Sequence, residues 1–250
     1  SLQRYSIQFS PDSHDEKVRA ALGRRFDNAT MERSIEKALE HNCERFDLFF
    51  MIGLPQQTKE SALECGPYAS RLYDLVKSDP RLFVYTSPLA PFLDPGSMAF
   101  EDPSKYGYRL FARSLEEHRS RLTNPSWRDV LSYETEWMTR EDIVSVSYDA
   151  AGNLNEARLR AGLMEVSEFE ERRDRIEKAK ELANDVHEAI YIDDAEERRE
   201  ALASLKQRGD ALMESTICQK RELEWDSPGV FKSLPRVLGG LVFSKRRKNG

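Results

Sequence analysis

The chain has 250 residues, of which 39% are hydrophobic and 33% charged, a composition typical of a globular protein with much exposed helix. Its length allows one large domain or two modest ones. The formal net charge of −6 argues against general attraction to nucleic acid or to an anionic membrane. No window approaches the roughly 18 uninterrupted apolar residues of a membrane span, and no secretion signal is recognisable. We therefore expect a cytoplasmic protein.

The first 90 residues alternate between strand-like and helix-like segments. Three segments have the apolar content expected of strands: 5–9, 46–52 and 82–86. Helical spacing predicts helices between them, beginning near Glu16, after Thr30 and at Thr58. Ser13 or Asp12 is expected to cap the first of these helices. This order predicts parallel crossovers and an α/β layer, and three strands alone leave a sheet edge open.

The middle of the chain carries weaker signals. Residues 87–103 are rich in Pro, Gly, Asp and Ser, which predicts a long loop. Apolar residues recur at helical spacing over 106–122, which predicts an amphipathic helix. Residues 143–148 alternate between apolar and polar, which predicts an extra strand.

The composition changes after about Val166. Residues 167–224 contain no proline and are dominated by Glu, Arg, Lys, Ala and Leu. Two apolar stripes separated at Asp193-Asp194 predict two long antiparallel helices. The predicted organisation is an α/β region over 1–165, with about three βα units plus an extra strand, and a charged helical hairpin region over 166–250.

Several short motifs follow one another in a recognisable order. A strand ends in Ser10-Pro11-Asp12-Ser13, and Leu22-Gly23-Arg24 follows. An apolar strand then runs into Gly53-Leu54-Pro55, and the loop over 87–97 comes later. Over residues 4–165 the chain resembles the radical S-adenosylmethionine (SAM) superfamily, particularly the branch whose members carry an N-terminal cobalamin-binding domain. The resemblance implies the C-terminal half of a (β/α) barrel.

In such barrels SAM lies across the carboxyl ends of the strands. The resemblance implies that Gly53 lets the backbone approach the adenine, that Ser13 offers a hydroxyl to the ribose, and that Arg24 binds the methionyl carboxylate. The implied cofactor-binding residues are Ser13, Arg24, Ile52, Gly53, Leu54 and Pro55. Alternatives stay open: Ser13 can cap a helix, Arg24 can be a cation at a helix end, and Gly53-Leu54-Pro55 can simply end a strand.

The cluster motif of this superfamily is missing. Radical chemistry in the family requires C-x-x-x-C-x-x-C, whereas Cys43, Cys65 and Cys218 are scattered and are expected to be reduced thiols. The four histidines are also dispersed, as is usual for surface or helix-end groups. We therefore assign no catalytic residue and no metal ligand to this chain. The 4Fe-4S cluster and cobalamin would be bound elsewhere in a parent protein.

The chain is thus expected to correspond to the barrel from about its fourth strand, and to be inactive alone. Its expected partner is the N-terminal remainder of that barrel, and a homodimer would be another way to cover the open sheet edge. The main alternative is a non-catalytic interaction module that presents residues 167–224 to a partner. A hydrolase has no supporting constellation of residues.

Overall fold

A computed structural model describes residues 4–88 and 91–213. The chain divides into two compact units, 1–203 and 204–250, and the described part of the second is the end of one helix. Of the predicted features, residues 214–224, Cys218 and the tail beyond them lie outside the described residues. The fold is mixed α/β.

The larger sheet consists of three parallel strands in the order β1-β2-β3. They are β1 (Tyr5–Asp12), β2 (Cys43–Ile52) and β3 (Leu82–Pro88). All three predicted strands are confirmed, each two or three residues longer at one end than its sequence signal. In the described part of the chain, β1 and β3 each pair only with β2, so the sheet is open on both sides.

Ten helices are described. They are α1 (Glu16–Ala21), α2 (Asn28–Glu40), α3 (Lys59–Leu63), α4 (Cys65–Leu75), α5 (Met98–Glu101), α6 (Leu115–Leu122), α7 (Trp127–Val130), α8 (Arg140–Arg160), α9 (Val166–Ala189) and α10 (Ala195–Met213). Asp15, Asp27 and Thr58 cap α1, α2 and α3, each accepting a hydrogen bond from a first-turn N–H group. The cap of α1 is therefore Asp15, and neither Ser13 nor Asp12 serves as its N-cap.

The two faces of the parallel sheet differ in burial. Phe46, Leu48, Phe50 and Ile52 alternate along β2 and belong to the buried core shared with α2, α4 and α8. The opposite face carries exposed or half-buried side chains, including Arg45, Phe49, Phe83 and Tyr85. Asp47 is buried on this opposite face, where the Arg45 guanidinium binds its carboxylate at 2.9 and 3.0 Å.

The predicted extra strand over residues 143–148 is wrong, because this segment lies inside helix α8. Thr139 and Asp142 form a capping box at the start of this helix. The buried residues of α8 recur at helical spacing over its whole length: Ile143, Val144, Val146, Ala150, Leu154 and Ala157. The apparent β-alternation covers about one and a half turns of this longer helical pattern, beginning three residues after the start of α8.

The predicted helix over 106–122 is also wrong in its first half. A 3-10 turn (Pro103–Tyr106) ends at Gly107, which has φ +69°. The short strand β4 (Tyr108–Leu110) follows and pairs antiparallel with β5 (Tyr133–Thr135), and we call this pair the β4–β5 ribbon. A helix begins only at Leu115, where Ser114 and Glu117 form a capping box.

The described part of the C-terminal region, residues 166–213, is helical as predicted, with α9 and α10 separated close to the predicted break at Asp193-Asp194. Helix α9 packs against α8, and Lys180 of α9 pairs with Asp149 of α8 at 2.6 Å. None of the helices in the described ranges combines the length and the apolar character that crossing a bilayer requires.

Candidate functional site at the carboxyl edge of the sheet

The parallel pairing brings the two main predicted segments to one edge of the sheet. Asp12 at the end of β1 pairs with Phe50 of β2. Ser13 therefore follows β1 near the level of Met51, about two residues before Gly53 along the neighbouring strand. Because the strands are parallel, both segments lie at the carboxyl edge, where ligands of α/β folds usually bind.

Ser13 is buried and holds the loop between β1 and α1. Its Oγ accepts a hydrogen bond from the Asp15 N–H at 3.0 Å. Its carbonyl oxygen accepts one from Nη1 of Arg19 at 2.8 Å, and Nη2 of Arg19 donates to the Phe26 carbonyl at 3.1 Å. Arg19 is fully buried. The hydroxyl of Ser13 is thus used inside its own loop.

Arg24 follows the end of α1 and binds a carboxylate of its own chain. Its Nε lies 2.5 Å from Oδ2 of Asp12. Asp12 is buried and has φ +72°, a left-handed conformation that is unusual for a residue other than glycine. Burial raises the pKa of the Asp12 carboxyl, and the nearby Arg24 charge opposes that rise.

The turn after β2 is fixed by one side chain. Gly53 has φ +92°, and its N–H and that of Leu54 donate to Oε1 of Gln57 at 3.0 and 3.3 Å. Nε2 of Gln57 donates in return to the Met51 carbonyl at 2.9 Å. Gln57 itself is buried. The polar backbone of this turn is therefore satisfied from within the chain.

Two tyrosines of the β4–β5 ribbon cover the Gly53 turn. A Cβ on Gly53 would lie 3.1 Å from the hydroxyl oxygen of Tyr133. Tyr108 donates its hydroxyl to the Gly53 carbonyl at 3.1 Å, and the two rings meet edge to face at 5.5 Å. Burial raises the pKa of both tyrosines. Ile52 and Leu54 are each 1% exposed, so this segment belongs to the core.

His14 lies at a helix end, as expected, directly before the N-cap of α1, but its ring packs against two aromatic rings. Its ring stacks on Tyr68 at 5.5 Å and meets the edge of Phe50 at 5.7 Å. Burial lowers the pKa of His14 to about 4, so this imidazole is neutral at pH 7.

Sequence reasoning missed most of the groups that shape this edge. None of Asp12, Tyr108, Tyr133 and Gln57 is among the site residues that the sequence predicts. Tyr133 reaches Gly53 from 80 residues away along the chain, and no local pattern signals such a contact. Asp12 stands in a Ser-Pro-Asp-Ser segment that reads as an ordinary turn.

Cys43, at the start of β2, and Cys65, at the start of α4, are both free and buried. Burial raises the pKa of Cys65 to about 12. In residues 4–88 and 91–213, no group of three or more His, Cys, Asp or Glu side chains is arranged to hold a metal ion. Comparisons with protein-family models, with curated proteins and with solved structures found no match to this chain.

The three residues that the resemblance assigned to SAM binding each contact another group of this chain. The Tyr133 hydroxyl and ring lie against Gly53, on the side to which a Cβ would point. The Asp12 carboxylate is bound by Arg24, and the Asp15 N–H is bonded to the Ser13 hydroxyl. In the arrangement described here, Gly53, Ser13 and Arg24 are therefore engaged in contacts within this chain.

Proposed function

We propose that this chain is the C-terminal part of a radical SAM-type barrel, that it completes its sheet by pairing with an N-terminal barrel segment, and that it is inactive alone. The observation that carries the proposal is the placement of Ser13 and Gly53 after neighbouring parallel strands at one carboxyl edge. The order of motifs in the family requires this placement. If Ser13 and Gly53 lay at opposite ends of the sheet, the proposal would be excluded.

Two further features support assembly into a barrel. The core helices pack on one face of the parallel sheet, while the face with Arg45, Phe49 and Tyr85 is less buried, as expected of strands that face a barrel interior. The outer edge of β1 has no partner strand among the described residues, and an unpaired strand edge is a template for another strand.

The closed carboxyl edge supports the proposal that the isolated chain has no activity. Tyr133 and Asp12 occupy the contacts that SAM would need, so no step of catalysis is assigned to residues of this chain. In the proposed parent protein, the 4Fe-4S cluster, cobalamin and the rest of the SAM pocket are supplied by the N-terminal part. We also propose that the isolated chain forms a homodimer through the unpaired edge of β1 and that the protein is cytoplasmic.

The test is to express the chain fused to the barrel segment that its gene encodes upstream, reconstitute it with iron and sulphide without oxygen, and measure 5′-deoxyadenosine formed from SAM. We expect an iron–sulphur absorbance and turnover in the longer protein, and neither in the 250-residue chain.

A longer protein that binds no cluster, or that binds one and leaves SAM intact, would remove the assignment. The alternative of a helical interaction module over residues 167–224 gains no support from a specific observation. Helix α9 packs on α8 within the same unit, and its charged residues form intrahelical pairs such as Arg175–Glu171 and Lys178–Asp174, which is usual for a solvated face.

A further inference from the structure

Three arginines surround one phenyl ring on the β4–β5 ribbon. The guanidinium carbons of Arg140, Arg109 and Arg121 lie 4.4, 4.7 and 5.3 Å from the centroid of the Phe111 ring. These residues come from the start of α8, from β4 and from the end of α6. We refer to Phe111, Arg109, Arg121, Arg140 and the neighbouring Ser132 as the Phe111 cluster.

The Phe111 cluster is separate from the carboxyl edge of the parallel sheet. Side chains alternate between the two faces of a strand, so Tyr108, which contacts Gly53, and Arg109 point to opposite sides of the ribbon. Arg109 pairs with Glu134 on the partner strand at 2.6 Å, and Phe111 continues on the face of Arg109. A ligand of the cluster would thus bind independently of the proposed barrel function.

Two arginines of the cluster, Arg121 and Arg140, are poorly paired with the carboxylates near them. Arg121 forms no ion pair within the described residues, and it donates only to the backbone carbonyls of Phe111 and Asp129, at 3.1 and 3.2 Å. Nη1 of Arg140 lies 3.5 Å from Oδ1 of Asp129, which is long for a charge-assisted hydrogen bond. The nearby Glu117 is already bound by the backbone N–H groups of residues 113 and 114.

Two donors of the cluster are buried without an acceptor. Among the described residues, neither Nη1 of Arg140 nor Oγ of Ser132 has a hydrogen-bond partner. Ser132 is only 1% exposed, and its carbonyl accepts the Phe111 N–H at 2.7 Å, which places it opposite Phe111 on the ribbon. Unpaired buried donors are costly, and so is the repulsion between the charges of Arg121 and Arg140, which the 3.5 Å contact of Arg140 with Asp129 offsets only in part.

We propose that the Phe111 cluster binds a phosphate-type oxyanion, either free phosphate or the phosphate group of a monoester. Such a group offers three or four acceptor oxygens and up to two negative charges. It would supply acceptors to Arg121, Arg140 and Ser132 together. Within the chain, the Asp129 carboxylate competes with such an anion, because its Oδ1 is the carboxylate oxygen nearest to Nη1 of Arg140. Its Oδ2 faces Nδ1 of His187 at 3.9 Å.

The test is a titration of the full chain with sodium phosphate, followed by calorimetry and by NMR of the arginine Nε–H groups, against sodium chloride at equal ionic strength. We expect saturable phosphate binding that Arg121→Met and Arg140→Met each weaken at least tenfold. Arg119→Met, on the same helix as Arg121 but exposed and outside the cluster, should bind as the unchanged chain does. Asp129→Asn should bind phosphate several-fold more tightly, because the competing charge is removed.

The Asp129→Asn variant keeps the test decisive if an arginine variant fails to fold, which circular dichroism would reveal. Binding that sodium chloride reproduces, that Arg119→Met loses equally, or that Asp129→Asn does not tighten would overturn the proposal. A parallel titration with phenyl phosphate separates the sources of the anion. Tighter binding of phenyl phosphate than of phosphate assigns the site to an ester, and equal binding assigns it to the free ion.

Discussion

Gly53 and Tyr133 are in direct contact: a Cβ on Gly53 would lie 3.1 Å from the tyrosine hydroxyl oxygen and 3.4 Å from its ring. This contact closes the carboxyl edge of β2 with a side chain from the β4–β5 ribbon. Gly53 is therefore required here both by its backbone conformation and by the ring packed against it.

The contact predicts that Gly53→Ala costs more stability than strain alone explains. Placing alanine at φ +92° costs roughly 1–2 kcal/mol, and crowding against Tyr133 adds about 1–3 kcal/mol. Urea unfolding followed by circular dichroism measures the sum. Gly23→Ala is the matched control, because Gly23 has φ +82° but no atom within 4 Å of its Cβ position. Equal losses in the two variants would show that Tyr133 does not press on the turn.

A second pair of glycines tests the packing of α4 on α8. A Cβ on Gly66 would lie 2.6 Å from Cβ of Asn153 and 3.1 Å from its backbone, so Gly66→Ala should destabilise the chain by about 1–3 kcal/mol. Gly152→Ala, in the middle of α8 with open space around its Cβ, should instead stabilise it by up to about 1 kcal/mol. Thermal unfolding of the two variants should shift in opposite directions, and a shared direction would contradict the close approach of the helices.

The buried His14 predicts a pH dependence of stability. Its pKa is about 4 in the folded chain and about 6.5 when unfolded, so the unfolded state binds more protons between these values. Stability from this group should therefore be nearly complete above about pH 7 and fall by about 2 kcal/mol between pH 7 and pH 5. His14→Gln should flatten this slope in urea unfolding, whereas His41→Gln, at the exposed end of α2, should retain it. An unchanged slope in His14→Gln would count against burial of the ring.

The occupied carboxyl edge predicts that the isolated chain binds SAM weakly. Tyr133 and Asp12 fill the contacts implied for the adenine and the methionyl carboxylate, so we expect a Kd weaker than about 1 mM by calorimetry. Arg24→Met should leave that weak binding unchanged. Micromolar binding that Arg24→Met abolishes would show that Arg24 exchanges Asp12 for the ligand.

Local patterns predicted the parallel layer well because its strands are short, strongly apolar and bounded by clear turn residues. The order of the three strands, the open edge of the sheet and the start of α3 at Thr58 follow from such signals. The strand predicted over residues 143–148 failed because six alternating residues are too short a window to distinguish a strand from a helix. The capping box at Thr139, and not the alternation, marks the start of this element.

The site could be predicted only in part. Neighbouring parallel strands bring the segments at Ser13 and Gly53 to one edge, and this follows from strand order. The groups that close the edge come from β4 and β5, whose pairing joins Leu110 to Tyr133 across 22 intervening residues. Three-residue strands carry almost no periodic signal, so neither the ribbon nor its contacts with Gly53 could be derived from local sequence.

The Gln57 amide gives the turn after β2 a property that bears on its chemistry. Many glycine turns after a parallel strand act as anion receptors, because their backbone N–H groups point outward unpaired. Here the N–H groups of Gly53 and Leu54 are both committed to Gln57. These two N–H groups are consequently not available to bind an anion, and the turn serves as a structural element.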